Sequence, residues 1–69
     1  MESIAHAKRQ LFESLRSRYE GIVGTGIKEK DGSEYIVVYI NAQDKKQFIP
    51  TNFLGNKVIA EVKGAIKAL

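Results

Sequence analysis

The chain has 69 residues, of which 43% are hydrophobic and 28% charged, and its net charge at pH 7 is +3. This length predicts one domain, residues 1–69, with one small core. The lack of cysteine excludes disulfides and zinc–thiolate sites, and a single histidine, His6, cannot assemble a metal site alone. No apolar run approaches the roughly 20 residues that span a bilayer, and the N-terminus has no apolar signal region. We therefore expect a cytoplasmic protein with no membrane contact.

The first predicted element is an amphipathic helix over about residues 3–19. Ser3 fits the N-cap position, while Glu2 at the start and Arg16 and Arg18 near the end suit the helix dipole. Gly21 then suits a left-handed cap. The apolar side chains follow the i, i+3, i+4, i+7 spacing of one helical face. They are Ile4, Leu11, Phe12, Leu15 and Tyr19.

Three strands are predicted after the helix, over about residues 22–30, 34–41 and 57–63. Asp31-Gly32 separates the first two and indicates a tight hairpin, because both central residues of a type I′ turn have positive φ. The middle strand is apolar on both faces, which is typical of a central strand covered on both sides.

The segment between the second and third strands is predicted to be an exposed loop. Pro50 excludes its short apolar part, residues 48–50, from a central strand, and a turn near Gly55 leads into the last strand. The predicted fold is therefore α+β, with the helix across one face of a three-stranded antiparallel sheet in the order α-β-β-β.

No residue pattern in the chain indicates catalysis. A Gly24-Thr25-Gly26 segment could cradle a phosphate only between a strand and the start of a helix. Here it lies inside a predicted strand, so we interpret it as a flat groove that the helix or another chain approaches closely. The serines lack a Gly-x-Ser-x-Gly context, and the carboxylates show no paired or metal-ligand spacing. We expect no enzyme, and no catalytic, cofactor or metal site.

Short glycine-containing and β-branched motifs along most of the chain resemble those of a small domain family. Members of this family stand in front of some trypsin-like serine proteases, with a Gly-Val-Gly-x-Gly type of segment, and also alone in bacteria. The resemblance implies a non-enzymatic α+β domain, since catalysis in the longer proteins belongs to the protease domain, whose catalytic residues have no counterpart here. The motifs that carry it are Gly21-Ile22-Val23-Gly24-Thr25-Gly26-Ile27, Ile36-Val37-Val38-Tyr39-Ile40, Ile49-Pro50, Gly55-x-x-Val58 and Gly64-x-Ile66-x-Ala68-Leu69.

The predicted central strand provides the candidate interaction surface, because one helix can cover only one of its two apolar faces. An exposed apolar patch is unusual for a monomer. Self-association would also help a core that supplies only roughly 3–5 kcal/mol. We therefore expect a non-catalytic module that forms a homodimer or binds a protein partner through a sheet face or an open edge. The candidate residues are Tyr35, Val37 and Tyr39, or those of the opposite face, Ile36, Val38 and Ile40.

The alternative function is weak binding of single-stranded nucleic acid. Tyr35 and Tyr39 share one face, where aromatic rings can stack on bases, and Lys28 and Lys30 on the neighbouring strand could contact phosphates. Nucleic acid is the less favoured partner, because the sequence has no RNA-recognition-motif signature and its positive charges are scattered rather than clustered.

Overall fold

A computed structural model describes residues 3–63 as one helix and a four-stranded mixed sheet. Helix α1 is followed by strands β1 and β2, and a 3₁₀ helix and the short strand β3 precede strand β4. The bounds of the elements are Ile4–Arg18 for α1, Ile22–Lys30 for β1, Ser33–Ile40 for β2, Gln43–Phe48 for the 3₁₀ helix, Asn52–Phe53 for β3 and Asn56–Val62 for β4. The α+β class is confirmed.

Helix α1 begins and packs as its sequence predicts. The Oγ atom of Ser3 accepts a hydrogen bond of 3.2 Å from the backbone N–H of His6, so Ser3 is the N-cap. Ala7, Leu11 and Leu15 form the buried stripe of the helix. Phe12, which the spacing assigns to the same apolar face, is only half-buried. The predicted contribution of Glu2 lies outside the described residues.

The reversal between α1 and β1 requires Gly21. The helix ends at Tyr19 in an extended conformation, so Gly21 is not itself the cap, although its φ of 90° is in the left-handed region. The carbonyl oxygen of Gly21 accepts a hydrogen bond of 3.0 Å from the N–H of Asn41. A Cβ at this position would lie 2.6 Å from the Asn41 Oδ1 atom. That atom is the end of an exposed side chain that can move aside, so the positive φ is what favours glycine at this position.

Strand β2 is central, as predicted, and pairs with β1 on one side and β4 on the other in the order β1-β2-β4-β3. The β1–β2 pairing is antiparallel, and the turn between them has φ of 55° at Asp31 and 81° at Gly32, as a type I′ turn requires. The register shifts between Ile22 and Gly24, which leaves Val23 as the extra residue of a β-bulge.

The prediction of a three-stranded antiparallel sheet is wrong in two respects, the direction of the last strand and the number of strands. Strand β4 runs parallel to β2, and β3 adds a fourth strand that pairs antiparallel with the start of β4. A parallel pair needs a crossover of roughly a dozen residues or more, and residues 41–55 supply it. The 3₁₀ helix and the buried Ile49 return the chain to the end of the sheet where β2 starts.

The core lies between α1 and one face of the sheet. Ile36, Val38 and Ile40 are fully buried beneath the helix, and Val58 of β4 extends the same layer. No helix in the described part of the chain is long and apolar enough to cross a membrane.

Candidate functional site

The position of α1 decides which of the two candidate faces of β2 is covered. Ile36, Val38 and Ile40 belong to the core under the helix. The other face, to which Tyr35, Val37 and Tyr39 contribute, has no helix or strand over it among residues 3–63. We call this side of the sheet the open face. By strand register and alternation its members are Gly24, Gly26, Lys28 and Lys30 of β1, Tyr35, Val37 and Tyr39 of β2, and Lys57, Ile59, Glu61 and the adjoining Lys63 of β4.

An ion pair crosses the centre of the open face. The Nζ atom of Lys28 donates to the Glu61 carboxylate at 3.3 Å to Oε2 and 3.4 Å to Oε1. Lys28 stands opposite Tyr35 and Glu61 opposite Tyr39, so the pair spans β2 at the level of Val37. Val37 is 0% exposed, although no helix among residues 3–63 covers it. The hydrogen bond to Glu61, and then the charge of that carboxylate, raise the pKa of Lys28 above its ordinary value of 10.5.

The half-buried ring of Tyr39 packs against the strand beside it and beneath a lysine. A Cβ on Gly26 would lie 3.5 Å from the Tyr39 Cε2 atom, an ordinary van der Waals distance, so the ring packs directly beside this glycine. The Nζ atom of Lys63 lies 4.7 Å from the ring centroid, within cation–π range. The groove predicted at the glycine pair therefore accommodates a tyrosine ring rather than the helix, which packs on the opposite side of the sheet.

Tyr35 borders a depression of about 460 Å³ where the β1–β2 turn meets the start of β4. Two lysines, Lys30 and Lys57, line this depression, and so do two carboxylates, Asp31 and Glu34. The cations therefore approach Tyr35 from both neighbouring strands, while the carboxylates sit at the turn and the start of β2.

The open face carries more positive than negative charge. Four lysines lie on it, and Glu61 is the one carboxylate that strand alternation assigns to it. Asp31 and Glu34 add negative charge at one rim. The face is therefore mildly basic, and its cations surround two aromatic rings.

Sequence reasoning identified the tyrosines of this face, Lys28 and Lys30 but missed the contribution of β4. Lys57, Glu61 and Lys63 alternate along β4, and this period-two pattern was the available signal. Their register against β2 could not be assigned, since an antiparallel β4 would have placed them opposite different residues.

The described residues that could bear chemistry do not converge on one site. His6 lies on α1 with its Nε2 atom 2.9 Å from Nε2 of Gln10, and the Ser17 hydroxyl donates to the Ser14 carbonyl on the same helix. No group of three or more histidine or acidic residues within residues 3–63 is placed to hold a metal ion.

Comparison with family models, curated protein sequences and solved structures gave no significant match. The resemblance to the domain that precedes some trypsin-like proteases therefore stays a prediction.

Proposed function

We propose that this chain is a non-catalytic interaction module that binds its partner through the open face. One observation carries the proposal: among residues 3–63, α1 and the core lie on one side of the sheet, and the other side carries two half-exposed tyrosines. Tyrosine is enriched at interfaces because it combines a large apolar ring with a hydroxyl group.

The charge of the open face favours an acidic partner. Lys28 forms an ion pair with Glu61. Lys30, Lys57 and Lys63 add further positive charge to the face. A partner surface with excess negative charge would meet complementary charge here, which favours the correct orientation and the rate of association.

The side chains of the open face make a homodimer through this face less favourable. Two copies placed face to face would bring two sets of lysines together, and like charges across an interface oppose association. The apolar centre that motivates a homodimer is also partly shielded, because Val37 is already fully buried. A homodimer thus has to use a different surface, such as the exposed edge of β1, or an offset in which the charges alternate.

The experiment that tests the proposal is a titration of ¹⁵N-labelled protein with poly-L-glutamate, a soluble acidic probe, followed by amide chemical shifts. We expect the shifts to change in β1, β2 and β4 around Tyr35, Tyr39 and Lys57, and to stay constant along α1. The double variant Lys30→Ala/Lys57→Ala should bind more weakly than wild type. The matched control, Lys8→Ala/Arg9→Ala, removes the same charge from the helix and should bind as wild type does.

Two results would contradict the proposal. Equal weakening by both double variants would mean that net charge alone attracts the probe. Light scattering at micromolar concentration that gives a dimer mass, lost in a Tyr35→Lys/Tyr39→Lys variant, would assign the open face to a second copy instead of an acidic partner.

A further inference from the structure

We infer that the partner of the open face is single-stranded nucleic acid, with Tyr35 and Tyr39 stacking on bases and the surrounding lysines contacting phosphates. This inference rests on the proposed function, since it names the acidic partner. It depends on three features of the open face: the spacing of the rings, the position of the lysines around them, and the contacts of the Tyr39 ring.

The spacing of the two tyrosines fits a single strand better than a duplex. Tyr35 and Tyr39 lie four residues apart on β2, which corresponds to about 13 Å at roughly 3.3 Å per residue. Neighbouring bases in a duplex are about 3.4 Å apart along each strand and are already stacked on each other. Only a strand whose bases are splayed apart can place one base on each ring, as proteins that read single strands require.

Each ring has cationic groups next to it that could contact the backbone of such a strand. Lys28 is the cross-strand neighbour of Tyr35, and Lys30 and Lys57 line the depression beside that ring. Lys63 lies over the ring of Tyr39. This combination of a basic surface and aromatic platforms is how proteins bind single strands without sequence preference.

The surroundings of Tyr39 also indicate how a base would enter. The Cε2 and hydroxyl atoms of its ring lie near Gly26, at ordinary contact distance from where a Cβ would be, and the Lys63 ammonium lies within cation–π range of the ring. A base that stacks on this ring takes the place of the ammonium group, which is then free to pair with a phosphate. The cation–π contact between Lys63 and the ring is thus replaced by two contacts with the ligand: the ring stacks on a base, and the ammonium group pairs with a phosphate.

The carboxylates of this surface keep the binding weak and sensitive to salt. Glu61 already holds Lys28, and Asp31 and Glu34 repel phosphates at the rim of the depression. Binding of single strands loses affinity with salt at a log–log slope of about −0.7 per phosphate contact, so a slope no steeper than about −3 is expected for four lysines. An acidic polypeptide would use the same lysines but has no bases to stack on the two rings.

The test is fluorescence anisotropy at low salt with a labelled oligothymidine, and with three competitors: an abasic phosphodiester of equal length, a duplex, and poly-L-glutamate. We expect the oligothymidine to bind most tightly. The double variant Tyr35→Leu/Tyr39→Leu keeps apolar bulk without aromatic rings, and its affinity should fall at least about fivefold for each ring that stacks. Tyr35→Phe/Tyr39→Phe keeps the rings and should bind within about twofold of wild type. Circular dichroism checks that both variants fold.

Equal binding of the oligothymidine and the abasic strand, or full binding by the leucine variant, would overturn the nucleic-acid inference. In that case, retained binding of poly-L-glutamate at the open face would leave the proposed function intact and assign the partner to acidic protein. If the wild-type protein binds none of the probes and no amide resonance of the open face shifts, both the nucleic-acid inference and the proposed function are overturned.

Discussion

Lys28 of β1 and Glu61 of β4 meet across β2, with Nζ and Oε2 3.3 Å apart at the level of the fully buried Val37. Strands β1 and β4 are not neighbours in the sheet, so this pair connects the two sides of the central strand. No helix among residues 3–63 covers Val37. The Lys28–Glu61 ion pair therefore lies at the centre of the open face, where a ligand that binds across the face would contact it.

The first prediction concerns the protonation of Lys28. We expect Glu61→Gln to lower the pKa of Lys28 back toward its ordinary value, because the carboxylate that raises it is removed. Since the folded-state pKa lies above 10.5, the pair stabilises the fold fully below that pH, and this contribution is lost as the pH rises through the folded-state pKa. NMR titration of the lysine side-chain resonances measures the change.

Glu13→Gln is the control for this titration, since Glu13 pairs with Arg9 on the helix and not with the sheet. It should leave the pKa of Lys28 unchanged. An unchanged pKa in the Glu61→Gln variant would show that the ion pair does not persist in solution.

The second prediction concerns the helix–sheet core. Leu11 is 2% exposed and belongs to the cluster formed with Ile36, Val38 and Ile40. We expect Leu11→Ala to lower the free energy of unfolding by about 2–5 kcal/mol, because it removes buried methyl groups and leaves a cavity. Urea denaturation measures the loss. The control is Gln10→Ala at the exposed neighbouring position, which should change the free energy of unfolding by less than about 0.5 kcal/mol. Comparable losses for the two variants would contradict the packing of Leu11 in the core.

The third prediction concerns the start of α1. Ser3→Ala removes the oxygen that accepts from the His6 N–H at 3.2 Å, and we expect it to cost about 1 kcal/mol of stability. Ser3→Asp supplies another acceptor and should restore the wild-type midpoint of urea denaturation. If the alanine variant is as stable as wild type, the cap does not contribute to the folded state.

The fourth prediction concerns the β3–β4 turn. Leu54 has a φ of 51°, a conformation that costs an L-residue about 1–2 kcal/mol but that asparagine tolerates better. Its side chain is 49% exposed, so little packing is lost on replacement. Leu54→Asn creates the Asn-Gly pair that type I′ turns prefer. We expect it to raise the melting temperature by a few degrees, with about 4–8 °C for each kcal/mol gained in a domain of this size.

Leu54→Ala is the control for the turn, because alanine has the same steric conflict at positive φ. It should give no increase in melting temperature. A lower melting temperature for Leu54→Asn than for wild type would mean that the leucine side chain makes a contact that outweighs its backbone strain.

Local patterns were enough to predict α1, the β1–β2 hairpin and the central position of β2. Each depends on residues close in sequence: the apolar stripe and Ser3 define the helix, and Asp31-Gly32 can satisfy the positive φ of a tight turn. Strand β2 is apolar on both faces, and this pattern indicates a central strand wherever the other strands lie.

The direction of β4, the existence of β3 and the identity of the open face depend on contacts between residues far apart in the chain. Residues 41–55 are long enough for either a loose hairpin or a parallel crossover, and in the crossover that forms Ile49 packs into the core. Leu54-Gly55 is a weaker turn signal than Asp31-Gly32, because leucine rarely adopts positive φ. A local pattern fixes which side chains share a face of a strand, but the helix can choose between the two faces only when the whole core packs. That choice exposes Tyr35 and Tyr39 and brings the lysines of β4 beside them.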